Sequence, residues 1–560
     1  MNAANRVFRK VIDANHHNRR PRMPKITRPT VQLSLIITPP ADRTRDRASL
    51  DERITRLDRA LEAVRELALF WPCSRSDELF EDFEVQLREL LRGTGRAAVE
   101  LMLAVAEAKD RRERSSTYSI GDTVYRMSTP EPRSFNTWFG VVRYRRSYAR
   151  PIDGGVGHCP LDFELGLLGD RISPNLLSTG ARLATRMSFA EAREVLGWFV
   201  PQPPSTEVLE QTVLGLGHHT GRWFEVAPVP EGDGEVLVVM LDGKCVPTAR
   251  ESELQKRRGE RAERVAAPSP RHRGRDLRKK RGRAPRRKKG DKSKNGKQVM
   301  MVVTYTLKRE GKLLLGPLNR RVYASFGKKR HAFEYALEEA ERRGFGKGTT
   351  KTVQIVTDGD PDLHLYTDEY FNTADFPNRV VTVDVVHVLE KLWDAGRARH
   401  REGSPELAAW VRVQENRLYG DKATLVLDDL RVWLAETPKT GPGNKGRRKR
   451  LSDAIRYLER RLDKLNYGTY RAEDLEVGTG QVEGAIKYVI AKRCDHGGMR
   501  WIRQRAQAVI QLRCIDVNGH WQAFVRWALA RLRTAALADG RRARLQTNTP
   551  AKLPSVAHAA

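Results

Sequence analysis

The sequence predicts an α/β protein. Its centre is an open sheet covered by helices, preceded by helical and β-ribbon regions and interrupted by an all-α insertion. Three observations carry that expectation. Residues Val236–Leu241 form an unbroken apolar run leading into Asp242-Gly243, the pattern of a strand buried on both faces. Val353–Asp360, VQIVTDGD, repeats this grammar, and Val380–His387, VVTVDVVH, gives a third apolar run with Asp384 near its end and His387 three residues later. Gly478–Ala485, GTGQVEGA, reads as a glycine-rich turn opening a helix that carries Glu483. A carboxylate at the end of a buried strand is held at the sheet edge, where sites gather on open α/β sheets.

The flanking regions follow in order. Residues 1–48 are basic and Pro-containing with little periodicity, and are expected to be a disordered arm. Over 49–112, Leu57, Leu61, Val64 and Leu67 recur at helical spacing and predict two or three helices. Residues 113–172 contain the alternating, aromatic-rich TVYRM and WFGVVRYRRSYARP, a β-ribbon whose arginines suit phosphates or an ordinary exposed strand face. In 173–225, Ser188-Phe-Ala-Glu191 is a capping box and Ser205 an N-cap. Helix, short turn and helix there fit a helix-turn-helix that reads DNA, and equally an ordinary packed pair. The core then runs over 226–404 with a basic insert at 251–297, and 405–471 is a helical insertion containing a basic turn, Lys439–Arg450. The Glu483 helix and a long helix through Trp501 and Leu512 occupy 472–515, and 516–560 is a last helix and tail.

Composition narrows the function. At 560 residues the chain exceeds one core and predicts three or four domains. No apolar run reaches the ~18 residues of a membrane span, and the basic N-terminus lacks the apolar stretch of a secretory signal. A cytoplasmic or nucleoid-associated protein is expected. The five cysteines are scattered, odd in number and without a CxxC, so neither a disulfide framework nor a zinc site is assigned. The formal net charge is +32. Residues 251–297 hold 20 Lys/Arg and 6 Asp/Glu, a net of +14, which leaves +18 spread over the rest. An excess this large and distributed favours a polyanionic partner, most simply nucleic acid. The insert cannot bury a core and is expected to be a disordered loop.

A single Asp-Gly after a strand is most often a turn, and a helical Glu most often an ion-pair partner. Two strand-end aspartates, a later helical glutamate and a basic setting together match the needs of a hard divalent ion. Two such ions about 3.5–4 Å apart serve phosphodiester hydrolysis and transesterification. No G-x-G-x-x-G follows a strand and no Walker-type loop is present.

The segments LDGK (241–244), VTDGD (356–360), VDVVHVLEKLW (383–393) and GTGQVEGAIKYVIAKRCDHGGMRW (478–501) resemble the DDE transposases of bacterial insertion sequences, nearest the ISKra type. CPLDFELGL (159–167) and MSFAEAREVLG (187–197) resemble the same family, and the likeness spans roughly 120–515. The resemblance implies an RNase H-like fold, a mixed five-stranded sheet with flanking helices. It implies a metal-binding catalytic triad of Asp242, Asp358 and Glu483, holding two Mg²⁺ or Mn²⁺ ions. The 125 residues from Asp358 to Glu483 fit a helical insertion. Asp384 and His387 resemble an auxiliary motif of related transposases; a core histidine capping a helix is the other reading. Where family members often carry paired cysteines, YARPIDGGVGHCP at 148–160 offers only His158 and Cys159, so no zinc is assigned. Asp360 competes with Asp358, which follows the apolar run more directly.

The expected activity is nicking of insertion-sequence ends and transfer of the freed 3′-hydroxyl to target DNA. The expected partners are terminal inverted repeats and target DNA, with a homodimer or higher homo-oligomer assembled on them. Arg278, Lys279, Lys280, Arg281, Arg286, Arg287, Lys288 and Lys289 of the insert, Arg447, Arg448 and Lys449 of the basic turn, and Arg500 and Trp501 are the expected DNA contacts. The alternatives are an RNase H-like nuclease without strand transfer and a non-catalytic DNA-binding descendant of a transposase.

Overall fold

The computed structural model describes residues 44–539 apart from 75–78, 114, 121–122, 156, 168–170, 254, 256–295 and 496–498. The chain enters on two long helices, α1 (Thr44–Ser74) and α2 (Phe80–Glu113), which pack as an antiparallel hairpin. Trp71 meets Phe83 with ring centroids 5.3 Å apart, and Thr94 donates to the Ala60 carbonyl at 3.2 Å. Most of the predicted arm lies outside the described residues.

The aromatic-rich stretch forms β1 (Thr117–Ile120), β2 (Thr123–Met127), β3 (Glu131–Thr137), β4 (Gly140–Arg146) and β5 (Ala149–Pro151). These make a three-stranded sheet in the order β1-β2-β5 and a separate β3-β4 hairpin. One of the arginines considered for phosphate contact is used inside the fold. Arg146, together with Arg133, pairs with the buried Asp162 of the short helix α3 (Pro160–Glu164).

Four helices follow: α4 (Pro174–Arg186), α5 (Phe189–Gly197), α6 (Thr206–Gly217) and α7 (Thr220–Val226). The capping box is formed, with the Glu191 N–H donating to Ser188 Oγ at 3.1 Å and the Ser188 N–H to Glu191 Oε2 at 2.8 Å. Ser205 caps α6 through the Val208 N–H at 3.3 Å. These helices share one apolar cluster with the central sheet, so they form part of its covering layer. Helix α6, second of the helix-turn-helix pair, carries Glu207 and Glu210 and no Lys or Arg.

The central sheet is built from β6 (Val236–Pro247), β7 (Gly296–Glu310), β8 (Leu313–Ser325), β9 (Thr352–Thr357) and β10 (Arg379–Val383), in the order β10-β9-β6-β7-β8. β6, β9 and β10 run parallel; β6/β7 and β7/β8 are antiparallel. Both faces are covered. Leu237, Val239, Leu241, Val353 and Ile355 pack under α8 (Lys329–Arg342) and α9 (Pro361–Tyr370). Val238, Met240, Val303 and Val356 join the larger cluster on the other face. Side chains alternate between faces along a strand, so a run apolar at every position needs a layer on each side.

Helix α10 (Val385–Gly396) leads into the insertion, whose helices are α11 (Pro405–Tyr419), α12 (Ala423–Glu436), α13 (Asn444–Glu459) and α14 (Tyr467–Ala472). The insertion is helical as expected, but its basic turn is shorter. Gly443, at φ +79°, ends the turn, and Lys445–Arg450 begin α13. Beyond it come α15 (Gly480–Ala485), a π-helical segment (Ile486–Ala491), α16 (Arg503–Val517) and α17 (Trp521–Asp539). The long C-terminal helix therefore starts after Trp501. Trp501 instead bridges to Thr248, its N–H donating to the Pro247 carbonyl at 3.1 Å. Among the described residues, no helix is long and apolar enough to cross a membrane.

At the end of the sheet where β6 begins, Asp233 accepts from Arg343 Nε at 2.9 Å and Nη2 at 2.6 Å, and from Thr306 Oγ1 at 3.1 Å. The Arg343 side chain is fully buried. Removing one member of such a pair leaves an uncompensated charge. Asp233→Ala is expected to destabilise the fold by about 3 kcal/mol, read as a lower denaturant midpoint with unchanged slope; an unchanged midpoint refutes this account of Arg343.

Candidate active site

The register of the three parallel strands places the aspartates. Leu241 pairs with Thr357, and Thr357 with Val383. The next residues in the chain are Asp242, Asp358 and Asp384, so three carboxylates follow one row of the ladder, on chains about 4.8 Å apart. Two details depart from the sequence expectation. β6 does not end at Asp242-Gly243, because its antiparallel pairing with β7 continues to Pro247↔Gly296 after its parallel partner has turned away. The third strand ends at Val383, where Asp384 becomes the N-cap of α10, so His387 sits in the first turn of that helix.

Each carboxylate is positioned by a different device. Asp358 Oδ1 accepts the Asp360 N–H at 2.8 Å. Its backbone carbonyl accepts the Tyr457 hydroxyl at 3.0 Å, and the Gly359 carbonyl accepts Arg461 Nε at 2.9 Å. Gly359 has φ +81°, and an added Cβ would lie 2.6 Å from the Tyr457 hydroxyl, so only glycine suits both the turn and the clamp. Asp360 is engaged elsewhere. It caps α9 through the Asp362 N–H at 2.8 Å and pairs with Lys329 at 2.9 Å.

Glu483 arrives from the other side of the cluster. Gln354 of β9 holds the segment before it, donating to the Glu476 carbonyl at 2.6 Å and accepting the Glu476 N–H at 3.0 Å. Glu476 itself accepts the Tyr305 hydroxyl at 2.7 Å. Helix α15 then packs against β6 and β7. Val482, Ile486 and Val489 are buried on one face, as their spacing predicts, while Glu483 is 35% exposed at the rim and pairs with Lys487 at 3.5 Å.

Asp384 and His387 form a pair. Asp384 is fully buried; its Oδ1 accepts the Val386 N–H at 3.0 Å, and its Oδ2 accepts Thr479 Oγ1 at 2.5 Å and contacts His387 Nδ1 at 2.8 Å. Burial opposes its charge, but His387, Thr479 and the Val386 N–H together hold its carboxyl below the usual range. The Asp384 hydrogen bond raises His387 to about 9, with Asp358 among the carboxylates that add to the shift. Asp242 behaves oppositely. Burial pushes its carboxyl up, and Asp358 and Glu483 add repulsion against the pull of the Gly243 N–H and His387. Asp358, Glu483 and His387 therefore all lie within electrostatic reach of Asp242.

The donor set is chemically suited to a hard divalent ion: carboxylate oxygens only, in local excess of negative charge. Among the described residues no three His, Cys, Asp or Glu side chains close around a single point. Like-charged carboxylates hold one another apart.

The expected DNA contacts divide. Arg278, Lys279, Lys280, Arg281, Arg286, Arg287, Lys288 and Lys289 lie outside the described residues. The insert's ends are fixed at Pro247 and Gly296, so it leaves the sheet from the same end as Asp242. Arg447 and Lys449 are exposed in the first turns of α13, about 15 Å along that helix from Tyr457. Arg448 is half-buried and donates to the Leu434 carbonyl at 2.8 Å and the Thr437 carbonyl at 2.5 Å, tying down the end of α12. Arg500 pairs with Glu253 at 2.8 Å. Trp501 is a correction: it is buried, with Arg493 4.6 Å from its ring centroid, and is a core residue.

Tyr457, Arg461 and Thr479 support the site without having been singled out in the sequence. Their one signal is weak, an aromatic and an arginine four residues apart at the end of the basic helix. No protein-family model matches the chain, and no curated protein matches it.

The charges set two titration outcomes. A histidine whose folded pKa is raised contributes stability that is complete below its ordinary value of about 6.5 and is lost as pH rises through the folded value. An NMR titration of His387 should have its midpoint near 9, shifting toward the ordinary value in Asp384→Asn; an unshifted wild-type midpoint would contradict the pairing. For Asp242 the sign is reversed. A raised carboxyl makes the ionised form unfavourable in the folded state at neutral pH. Asp242→Asn should raise the melting temperature in metal-free buffer, and a lowered one would show that the charge is structural.

Proposed function

We propose that this chain is a DNA transposase of the DDE type, resembling the ISKra group, with the central sheet as an RNase H-like catalytic core. The observation that carries the reading is the shared register row of Asp242 and Asp358, with Glu483 brought over β6 from a later helix and electrically coupled to Asp242. The mixed five-stranded sheet, the helical insertion between Asp358 and Glu483, and a basic insert rooted at the carboxylate end of β6 agree with it. The helix-turn-helix of 173–225 is the proposed reader of terminal repeats; its cations, not the acidic face of α6, would meet phosphates.

Asp242, Asp358 and Glu483 would hold two Mg²⁺ or Mn²⁺ ions, which when bound supply an activated nucleophile and stabilise the leaving oxyanion. The protein's own groups do the rest. Gly359, clamped by Tyr457 and Arg461, fixes the direction of Asp358. His387, charged through Asp384, offsets part of the repulsion among the carboxylates and offers a cation beside the phosphate path. In the first reaction water adds to the phosphorus at the element end and the 3′-oxygen departs as a free hydroxyl. In the second that hydroxyl attacks a target phosphate and displaces its neighbouring 3′-oxygen.

Glu483→Gln keeps shape and hydrogen bonding but loses the charge that holds a hard cation. It should fold and bind DNA normally while strand transfer falls by at least ~10³-fold, about 4 kcal/mol of transition-state stabilisation. Asp242→Asn and Asp358→Asn should behave alike, and Mg²⁺ should raise the melting temperature of the wild type more than that of any of the three. Full activity in a variant would remove that residue from the triad. Cleavage by the wild type without joining would make the protein a nuclease of this fold, and DNA binding with neither reaction would make it a binding protein.

Deleting residues 251–297 should weaken binding to all DNA sequences alike and flatten the salt dependence, which runs near −0.9 in log–log slope per neutralised phosphate. An unchanged slope would exclude the insert from phosphate contact.

A further inference from the structure

We infer that Tyr488 is a base-stacking residue. Its ring and the lysines around it form a shelf beside Glu483 that takes one nucleobase of bound DNA and the phosphates next to it. The inference rests on the reading of this edge of the sheet as a DNA-processing site, and it gives the helix beyond Glu483 a part in holding that DNA.

The shelf begins at a break in helical geometry. α15 carries Glu483 and runs straight into the π-helical segment Ile486–Ala491, after which Lys492–Cys494 regain α-helical form. Such segments occur mostly as single turns inside α-helices, often at functional sites. Here Arg513 of α16 holds the turn open. Its side chain is buried; Nε donates to the Val489 carbonyl at 2.8 Å, Nη1 to the Thr185 carbonyl at 2.6 Å, and Nη2 to the Tyr488 carbonyl. Burying a guanidinium is costly, and it sets the direction of the side chains on this segment. Inward, Ile486, Val489 and Ile490 are buried; outward, Lys487, Tyr488 and Lys492 are exposed.

Tyr488 is 45% exposed, a large aromatic left wet. Arg513 lies 5.3 Å from its ring centroid on the protein side, and Lys492 Nζ lies 5.6 Å from it. Among the described residues Lys492 meets this ring and no carboxylate. Lys487 reaches Glu483 at 3.5 Å, and Asp495, further along the helix, is taken up by Lys244 at 3.1 Å. An aromatic face flanked by cations suits a nucleic-acid strand, the ring taking a base and the cations its phosphates.

Gly484 is an independent observation. It is exposed, one position past Glu483. Glycine is a poor residue inside a helix, and the fold does not require it here: its φ is not positive, and an added Cβ would meet nothing within 4 Å. The open ground in front of it lets a strand come close to the helix between Glu483 and Tyr488. Those two residues are about 7 Å apart along the axis, roughly two nucleotide steps of 3.4 Å. Tyr488 therefore takes a base about two nucleotides from the phosphate that Glu483 serves.

The test is binding of the full chain, in buffer with EDTA, to two labelled duplexes that share a short 3′ overhang. One overhang is intact and the other has abasic sites in place of its bases. Wild type should bind the intact probe at least ~5-fold more tightly, the worth of one stacked base. Tyr488→Ala should bind both probes alike, while Tyr488→Phe and Tyr488→Trp keep the preference. Gly484→Leu should melt no lower than wild type yet bind both probes several-fold more weakly. A wild type indifferent to the bases, including one whose shelf another protein covers, overturns the proposal. So does a Tyr488→Ala protein that keeps the preference, or a Gly484→Leu protein that binds as wild type does. Cleavage of DNA by wild type without the preference strikes the shelf and leaves the transposase reading standing; the preference without cleavage supports the shelf and sinks that reading.

Discussion

The hydrogen-bond ladder joining β6, β9 and β10 is the constraint on which the rest of this structure depends. Backbone pairing opposes sliding, because a one-residue slip would carry every side chain of a strand to the opposite face, into a cluster packed around a different side chain. With both faces of β6 and β9 packed under helices, the register of Leu241, Thr357 and Val383 is set by burial along the whole strand. The positions of Asp242, Asp358 and Asp384 are then consequences. The candidate site is not located by contacts among the carboxylates, which repel, but by the packing of apolar residues that lie outside it.

Parallel strands leave that edge of the sheet at different points, and each departure is stabilised differently. β6 continues along β7, β9 breaks at Gly359 into the cap of α9, and β10 breaks at Asp384 into the cap of α10. The insertion contributes by reaching back: Tyr457 and Arg461, at the end of α13, grip the Asp358-Gly359 turn. A segment that looks like a separate helical unit in the chain is mechanically part of the candidate site.

Much of this was legible in the sequence, for identifiable reasons. A continuous apolar run such as Val236–Leu241 reads as a doubly buried strand, and the capping box at Ser188–Glu191 marks a helix start by its own hydrogen bonds. Asp360, the alternative to Asp358 that the sequence offers, caps a helix and pairs with Lys329. What failed depended on partners distant in the chain. The extension of β6 past Asp242 requires β7, Trp501 is buried by Arg493 and a bridge to Thr248, and Arg146 answers to Asp162. A cation in sequence carries the same symbol whether it is spent internally or free for phosphate. Only the fold distinguishes Arg448, tied to two carbonyls, from its exposed neighbour Arg447.

The pairing of Pro247 with Gly296 at the tip of the β6–β7 ribbon closes the basic insert at its base. Once a loop's ends are locked together by a ladder, the entropy of closing it grows only with the logarithm of its length, about 0.6 kcal/mol for each doubling. The intervening segment is thus nearly free to lengthen, shorten or exchange its composition over evolutionary time without the sheet registering the change. The edge that aligns the carboxylates is also a graft point, where a segment of different length or composition can be acquired at little thermodynamic cost to the fold.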